Sequence, residues 1–154
     1  MTQLSSIAGR PVDTVLDLAR RVGWGAADIL LSYYYPDDGD TSANQDLAIK
    51  DKSEGPVTKA DLAVNHYILE QFKAELGTED FYYLSEETFK ADPESERFNH
   101  PWVWIIDPLD GTRDFIERTG TFAVHIALVN AGKPVLAIVA CPGRNKLYYA
   151  VKGG

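Results

Sequence analysis

Asp107 and Asp110 stand three positions apart in the stretch WVWIIDPLDGTRDF, where an apolar run gives way to Gly-Thr. Like charges so close repel one another. The spacing suits either a turn, which Asp, Pro and Gly all favour, or a cation held between the two carboxylates. Two other acidic features accompany them. Glu86-Glu87 closes the run FYYLS, and Asp61 follows Thr58 by three residues at the start of an amphipathic stretch. Each has a plain structural reading: Asp61 has the spacing of a capping box with Asp in place of Glu, and Glu86 and Glu87 suit a solvated strand end. Taken together they point further. Glu86 and the Asp107–Asp110 pair both stand at the C-terminal ends of apolar strands, and if those strands are neighbours the carboxylates converge. Unpaired buried anions are costly, and a divalent cation is the usual compensation. Magnesium prefers hard oxygen donors and keeps several waters, so a few carboxylates and a substrate phosphate suffice. Beside the acids, GTRDFIE reads as a turn opening a short helix, with the Gly111 and Thr112 amides facing a phosphate oxygen. The combination suggests metal-assisted phosphoester hydrolysis.

Two rival loop chemistries fail on spacing. A calcium loop of the EF-hand kind needs acids at its first, third and fifth positions before the glycine. Counting back from Gly111 gives Ile106, Pro108 and Asp110. Phosphatases of the haloacid dehalogenase type use Asp-x-Asp, whereas here Asp107-Pro-Leu-Asp110 displaces the second carboxylate by one residue.

The elements that must position these groups follow from periodicity. Val15, Leu16, Ala19, Val22, Ala26, Ile29, Leu30 and Tyr33 recur in steps of three and four, which predicts one long amphipathic helix from Val12 to before Pro36. LAIKDKSEGPVT reads as a short strand and a turn. A second helix is expected from about Thr58 to Leu76, with Val64, Ile68 and Phe72 on one face and Gly77 as its stop. FYYLSEE and WVWIID read as strands. In TFAVHIALV, Phe122, Val124, Ile126 and Leu128 face one way while Ala123, His125 and Ala127 face the other. Turns at NAGK and GRNK then make a three-stranded antiparallel meander. The expected class is α+β, with two long helices packed on one mainly antiparallel sheet. His125 reads as a packed or hydrogen-bonded residue, and His66 and His100 have no partner at metal-ligand spacing. The aromatics of SYYYP and FYY read as core and helix-end packing.

The bulk numbers are those of one soluble domain. The chain has 154 residues, 45% hydrophobic and 25% charged, and a formal net charge of −8. An acid excess without a basic patch argues against nucleic acid and anionic membrane as partners. There is no long uninterrupted apolar run and no signal-like N-terminus. A single cysteine, Cys141, excludes an internal disulfide and fits a reducing, cytoplasmic compartment. YPDDGDTSANQD reads as a surface loop.

WIIDPLDGTRDF, preceded by LSEE and by GPVTKAD, resembles the inositol monophosphatase superfamily of magnesium-dependent, lithium-sensitive phosphatases. The motifs occur in that family's order, and the resemblance runs from about Val12 to the last residue. The stretch from Gly111 onward looks closest to the 3'(2'),5'-bisphosphate nucleotidase branch, which removes the 3'-phosphate of 3'-phosphoadenosine 5'-phosphate in sulfur metabolism. Inositol monophosphatase and fructose-1,6-bisphosphatase activities are the alternatives within the superfamily.

The resemblance implies Mg2+ as cofactor and assigns roles. Glu86, Asp107 and the Leu109 carbonyl would hold a first metal, and Asp107 would bridge to a second that Asp110 also ligates. Asp61 and Thr112 would orient the attacking water and help deprotonate it. The Gly111 and Thr112 amides would hold the phosphate, with Arg113 a further phosphate contact; Glu87 matches the motif without a firm role. Family members are much longer, and their second half supplies a further metal-binding Asp in a Trp-Asp-x-x-Ala type of motif, which does not follow DPLDGT here. The resemblance therefore implies the amino-terminal part of the sugar-phosphatase-type αβαβα fold, residues 1–154 forming its metal-binding domain. As it stands, such a chain could also be an inactive metal-binding module. Apolar surface left bare where the second half packs would favour self-association.

Overall fold

The computed structural model describes residues 4–34, 48–52, 55–85, 100–117 and 119–154. A short hairpin of β1 (Ser6–Ile7) and β2 (Arg10–Pro11) leads into helix α1 (Val12–Tyr34). The three-and-four spacing of its apolar residues places Val15, Ala19, Val22, Ala26 and Leu30 in the core, together with Leu18 and Ala27. Asp13 lies in the first turn, where the helix dipole favours an anion.

Strands β3 (Ala48–Lys52) and β4 (Gly55–Thr58) pair as an antiparallel hairpin. The segment LAIKDKSEGPVT therefore contributes two strands, where its sequence suggested one strand and a turn. Helix α2 (Lys59–Leu76) follows directly and buries Val64, Ile68 and Phe72. Gly77 ends it in the left-handed region at φ +75, its N–H donating to the Lys73 carbonyl at 2.9 Å. The Tyr83 hydroxyl donates to the Gly77 carbonyl at 2.7 Å, tying this stop to the next strand. The two helices approach closely where a Cβ on Gly25 of α1 would collide with the Tyr67 ring of α2. A glycine inside a helix costs about 1 kcal/mol relative to alanine, and here that cost brings the backbones together.

The sheet has five strands in sequence order: β5 (Phe81–Ser85), β6 (Trp102–Asp110), β7 (Ala123–Asn130), β8 (Lys133–Cys141) and β9 (Lys146–Val151). β5 and β6 are parallel and every other pair is antiparallel. A short helix α3 (Thr112–Glu117) joins β6 to β7. The α+β class with two long helices on a mainly antiparallel sheet is thus the observed architecture. Both helices pack against one face of the sheet, meeting Trp104, Ile106, Val124, Ile126, Leu128 and Ile138, all at most 2% exposed. Trp104 stacks on Phe72 with ring centroids 4.3 Å apart.

One feature of β6 departs from the sequence reading. DPLDG, expected to turn, continues the strand through Pro108 and Leu109 to Asp110. The ladder with β7 pairs Asp107 with His125 and Asp110 with Ala123, so three steps on β6 match two on β7. This is a β-bulge, and it tolerates the proline, which cannot donate to a regular ladder.

Candidate metal and phosphate site

In a regular strand, residues three apart point to opposite faces. The bulge reverses this. Cross-strand partners share a face, and His125 and Ala123 are two apart on β7, so Asp107 and Asp110 emerge on the same side of the sheet. That side is opposite the helices, because the neighbouring Ile106 and Ile126 are buried against them.

The bulge is knitted by short-range hydrogen bonds. The Leu109 N–H donates to Asp107 Oδ1 at 3.3 Å, an Asp side chain bonding the backbone two residues on. The Thr112 hydroxyl donates to the Leu109 carbonyl at 3.2 Å. That carbonyl keeps a second lone pair. His125 Nε2 donates to Asp110 Oδ2 at 3.1 Å, a link from β7 back to the end of β6. Asp110 is mostly exposed and Asp107 half-buried.

Gly111 takes φ +86, and a Cβ there would lie 2.8 Å from the Thr121 carbonyl. Only glycine fits both conditions without strain. It starts α3, its carbonyl accepting from the Phe115 N–H at 2.9 Å, and helix geometry leaves the Thr112, Arg113 and Asp114 amides without intrahelical acceptors. The Arg113 side chain is exposed.

Asp61 lies in the first turn of α2 and is only 2% exposed, a buried acid among the described residues. β4 runs straight into α2 and also lies against α3. The helix that begins beside Asp61 and the one that begins at Thr112 therefore share a neighbour. Glu86 and Glu87 fall outside the described residues. Their strand ends beside β6: Ser85, the residue before Glu86, pairs with Ile106, the residue before Asp107. The two strands are neighbours and parallel, which was the condition for convergence.

Among the described residues, no three His, Cys, Asp or Glu side chains gather closely enough to hold a metal ion by themselves. Two carboxylates on one face are nonetheless a magnesium-type donor set, since that ion binds through one or two carboxylates plus water and phosphate oxygens. His125, expected to be packed or hydrogen-bonded, finds in Asp110 a partner fifteen residues away that only the cross-strand register reveals. His66, read as having no role, pairs with Glu70 one helical turn on, at 3.0 Å.

The sequence model of the inositol monophosphatase family matches residues 12–154. The 3'(2'),5'-bisphosphate nucleotidase CysQ of Salmonella typhimurium is 38% identical over 144 residues, covering 92% of this chain and 52% of the relative. That of Escherichia coli K12 is 37% identical over the same span. Among solved structures, CysQ from Bacteroides thetaiotaomicron, described as a bacterial member of the inositol monophosphatase family, superposes with a TM-score of 0.71 at 32% identity. It is matched over 92% of this chain and 47% of its own. The extragenic suppressor protein suhB from Bartonella henselae gives 0.75 at 27% identity, over 92% of this chain and 50% of its own. The chain spans about half the length of the curated relatives it matches. It belongs to the inositol monophosphatase family.

Proposed function

We propose that residues 12–154 supply the cation- and phosphate-binding part of a magnesium-dependent phosphomonoesterase, acting on the 3'-phosphate of 3'-phosphoadenosine 5'-phosphate in the cytoplasm. The observation that carries this reading is the bulge at Asp107–Asp110, which turns a three-residue spacing into two carboxylates on one face beside the end of β5. The substrate class rests on the CysQ relatives, named 3'(2'),5'-bisphosphate nucleotidases.

In this reading Glu86, Asp107, the Leu109 carbonyl and Asp110 would hold Mg2+. A bound magnesium lowers the pKa of a water and offsets charge on the leaving oxygen. The chain's own groups do the rest. The Leu109 N–H holds Asp107 in place through Oδ1. The Thr112 hydroxyl donates to the Leu109 carbonyl at the start of α3. Its oxygen would accept a hydrogen bond from the attacking water and so orient it, and the Asp61 carboxylate would take up the proton. The Gly111 and Thr112 amides and Arg113 position the phosphate.

A second reading rests on the chain spanning about half the length of its relatives. By that reading the 154-residue chain is an inactive cation-binding module. Phosphate release from 3'-phosphoadenosine 5'-phosphate, inositol 1-phosphate and fructose 1,6-bisphosphate, with Mg2+ or a chelator, separates the two. The enzyme reading expects cation-dependent release, fastest from the nucleotide and inhibited by lithium. Cation binding without release from any of the three favours the module.

A further inference from the structure

The two carboxylates of the bulge are each tied by one oxygen. Asp107 Oδ1 accepts from the Leu109 N–H at 3.3 Å, and Asp110 Oδ2 accepts from His125 Nε2 at 3.1 Å. An ionised carboxylate only accepts, so Nε2 carries the hydrogen. The ring reaches Asp110 from a fixed base. Its strand neighbours Val124 and Ile126 are fully buried, and its ladder partner is Asp107, so the imidazole crosses the bulge diagonally. Among the described residues, His125 is the side-chain partner of Asp110, and it engages Oδ2 only. Asp110 thus keeps one oxygen against the ring and has the other available to a ligand.

We propose that His125 sets the cation preference of the site: by engaging Oδ2 it confines Asp110 to binding through Oδ1 alone, which favours Mg2+ over Ca2+. The inference rests on the cation-binding part of the phosphatase reading and on no particular substrate. The two ions ask different things of a carboxylate. Mg2+ demands a near-ideal octahedron of oxygens at about 2.0–2.1 Å. Ca2+ takes six to eight oxygens at about 2.3–2.6 Å and readily accepts both oxygens of one carboxylate. With His125 in place, a cation spanning both oxygens of Asp110 crowds the ring and weakens a charge-assisted hydrogen bond. An ion that needs one oxygen keeps that bond, and with it a carboxylate already aimed. His125 is therefore a positioning residue, acting on the cation through Asp110. Hydrogen bonds of this kind to a ligating group carry about 10- to 100-fold in metal affinity, enough to tilt a preference between two ions. The Leu109 N–H constrains Asp107 Oδ1 in the same sense, and as a backbone donor it persists whatever stands at position 125.

Calorimetric titration of the 154-residue chain with Mg2+ and, separately, with Ca2+ tests this through the ratio of the two affinities. In His125→Ala, Mg2+ binding should weaken a few-fold while Ca2+ binding strengthens, shifting the ratio towards Ca2+ by about tenfold. His125→Val, a strand former without a donor, should follow the alanine variant and covers the case in which alanine loosens the strand. His125→Gln, whose amide N–H can serve the same oxygen, should return most of the parent ratio. Far-ultraviolet circular dichroism should be the same for all four chains. A ratio unchanged in the alanine and valine variants, even if both affinities fall together, overturns the proposal. A glutamine variant shifted as far as alanine also overturns it, because the bond would then not be what sets the preference. A parent that binds neither ion refutes the cation reading itself, and the proposal falls with it.

Discussion

His125 donates a hydrogen bond to Asp110 at 3.1 Å, although its backbone partner in the ladder is Asp107. The imidazole thus spans the bulge, standing opposite one carboxylate and holding the other. Both side chains are partly exposed, 44% for His125 and 63% for Asp110, so the bond adds less than about 1 kcal/mol to stability. Its larger effect is on where Asp110 points. His125→Ala should leave urea stability within about 1 kcal/mol of the parent and lower Mg2+ affinity a few-fold, with His125→Gln recovering part of that loss. Equal Mg2+ affinity in parent and alanine variant would leave His125 with packing alone.

Gly111→Ala combines an unfavourable positive φ with a Cβ 2.8 Å from the Thr121 backbone carbonyl. The neighbour is main chain and cannot swing aside, so the α3 start must shift. A loss of about 1–3 kcal/mol is expected, read from urea unfolding, with phosphate affinity falling in parallel. A variant as stable as the parent would mean that this turn relaxes freely.

Thr112→Ala removes the hydroxyl that bonds the Leu109 carbonyl. Turnover should drop in any active form of the protein while Mg2+ affinity holds within a factor of a few. If affinity collapses instead, the hydroxyl serves to shape the bulge and the role in water activation falls away.

Burial pushes the Tyr83 phenol well above the usual tyrosine range, and the positive charge of Arg10 acts in the opposite direction without cancelling it. Unfolded, the phenol ionises near its ordinary value of about 10. Above that pH the unfolded chain releases a proton that the folded chain keeps. The stability contribution is therefore complete below pH about 10 and is lost as pH rises, by up to about 1.4 kcal/mol per pH unit. Tyr83→Phe should cost about 1 kcal/mol at neutral pH, through the lost bond to the Gly77 carbonyl. Its stability should also fall less steeply than the parent's between pH about 10 and 12. Parallel curves for the two proteins would contradict this.

The helices and the meander were legible because their information is local. Val64, Ile68 and Phe72 repeat at four-residue steps, and Phe122, Val124, Ile126 and Leu128 alternate; all seven are buried as that periodicity requires. The acidic residues were equally visible, but not their common face. Pro108 breaks the alternation, and a bulge looks like a turn until the register of the partner strand is known. The parallel pairing of β5 with β6 joins segments separated by residues 86–101, a long-range contact with no local signature. The β3–β4 hairpin was read as one strand because LAIKDKSEGPVT carries no strong hairpin dipeptide.

The central claim is that a divalent cation binds where Asp107 and Asp110 share a face. Calorimetric titration of the 154-residue chain with Mg2+, repeated on Asp107→Asn, addresses it directly. The prediction is saturable binding by the parent and at least about a tenfold loss of affinity, about 1.4 kcal/mol, in the variant. A parent chain that binds no Mg2+, or an asparagine variant that binds it as tightly, would contradict the assignment.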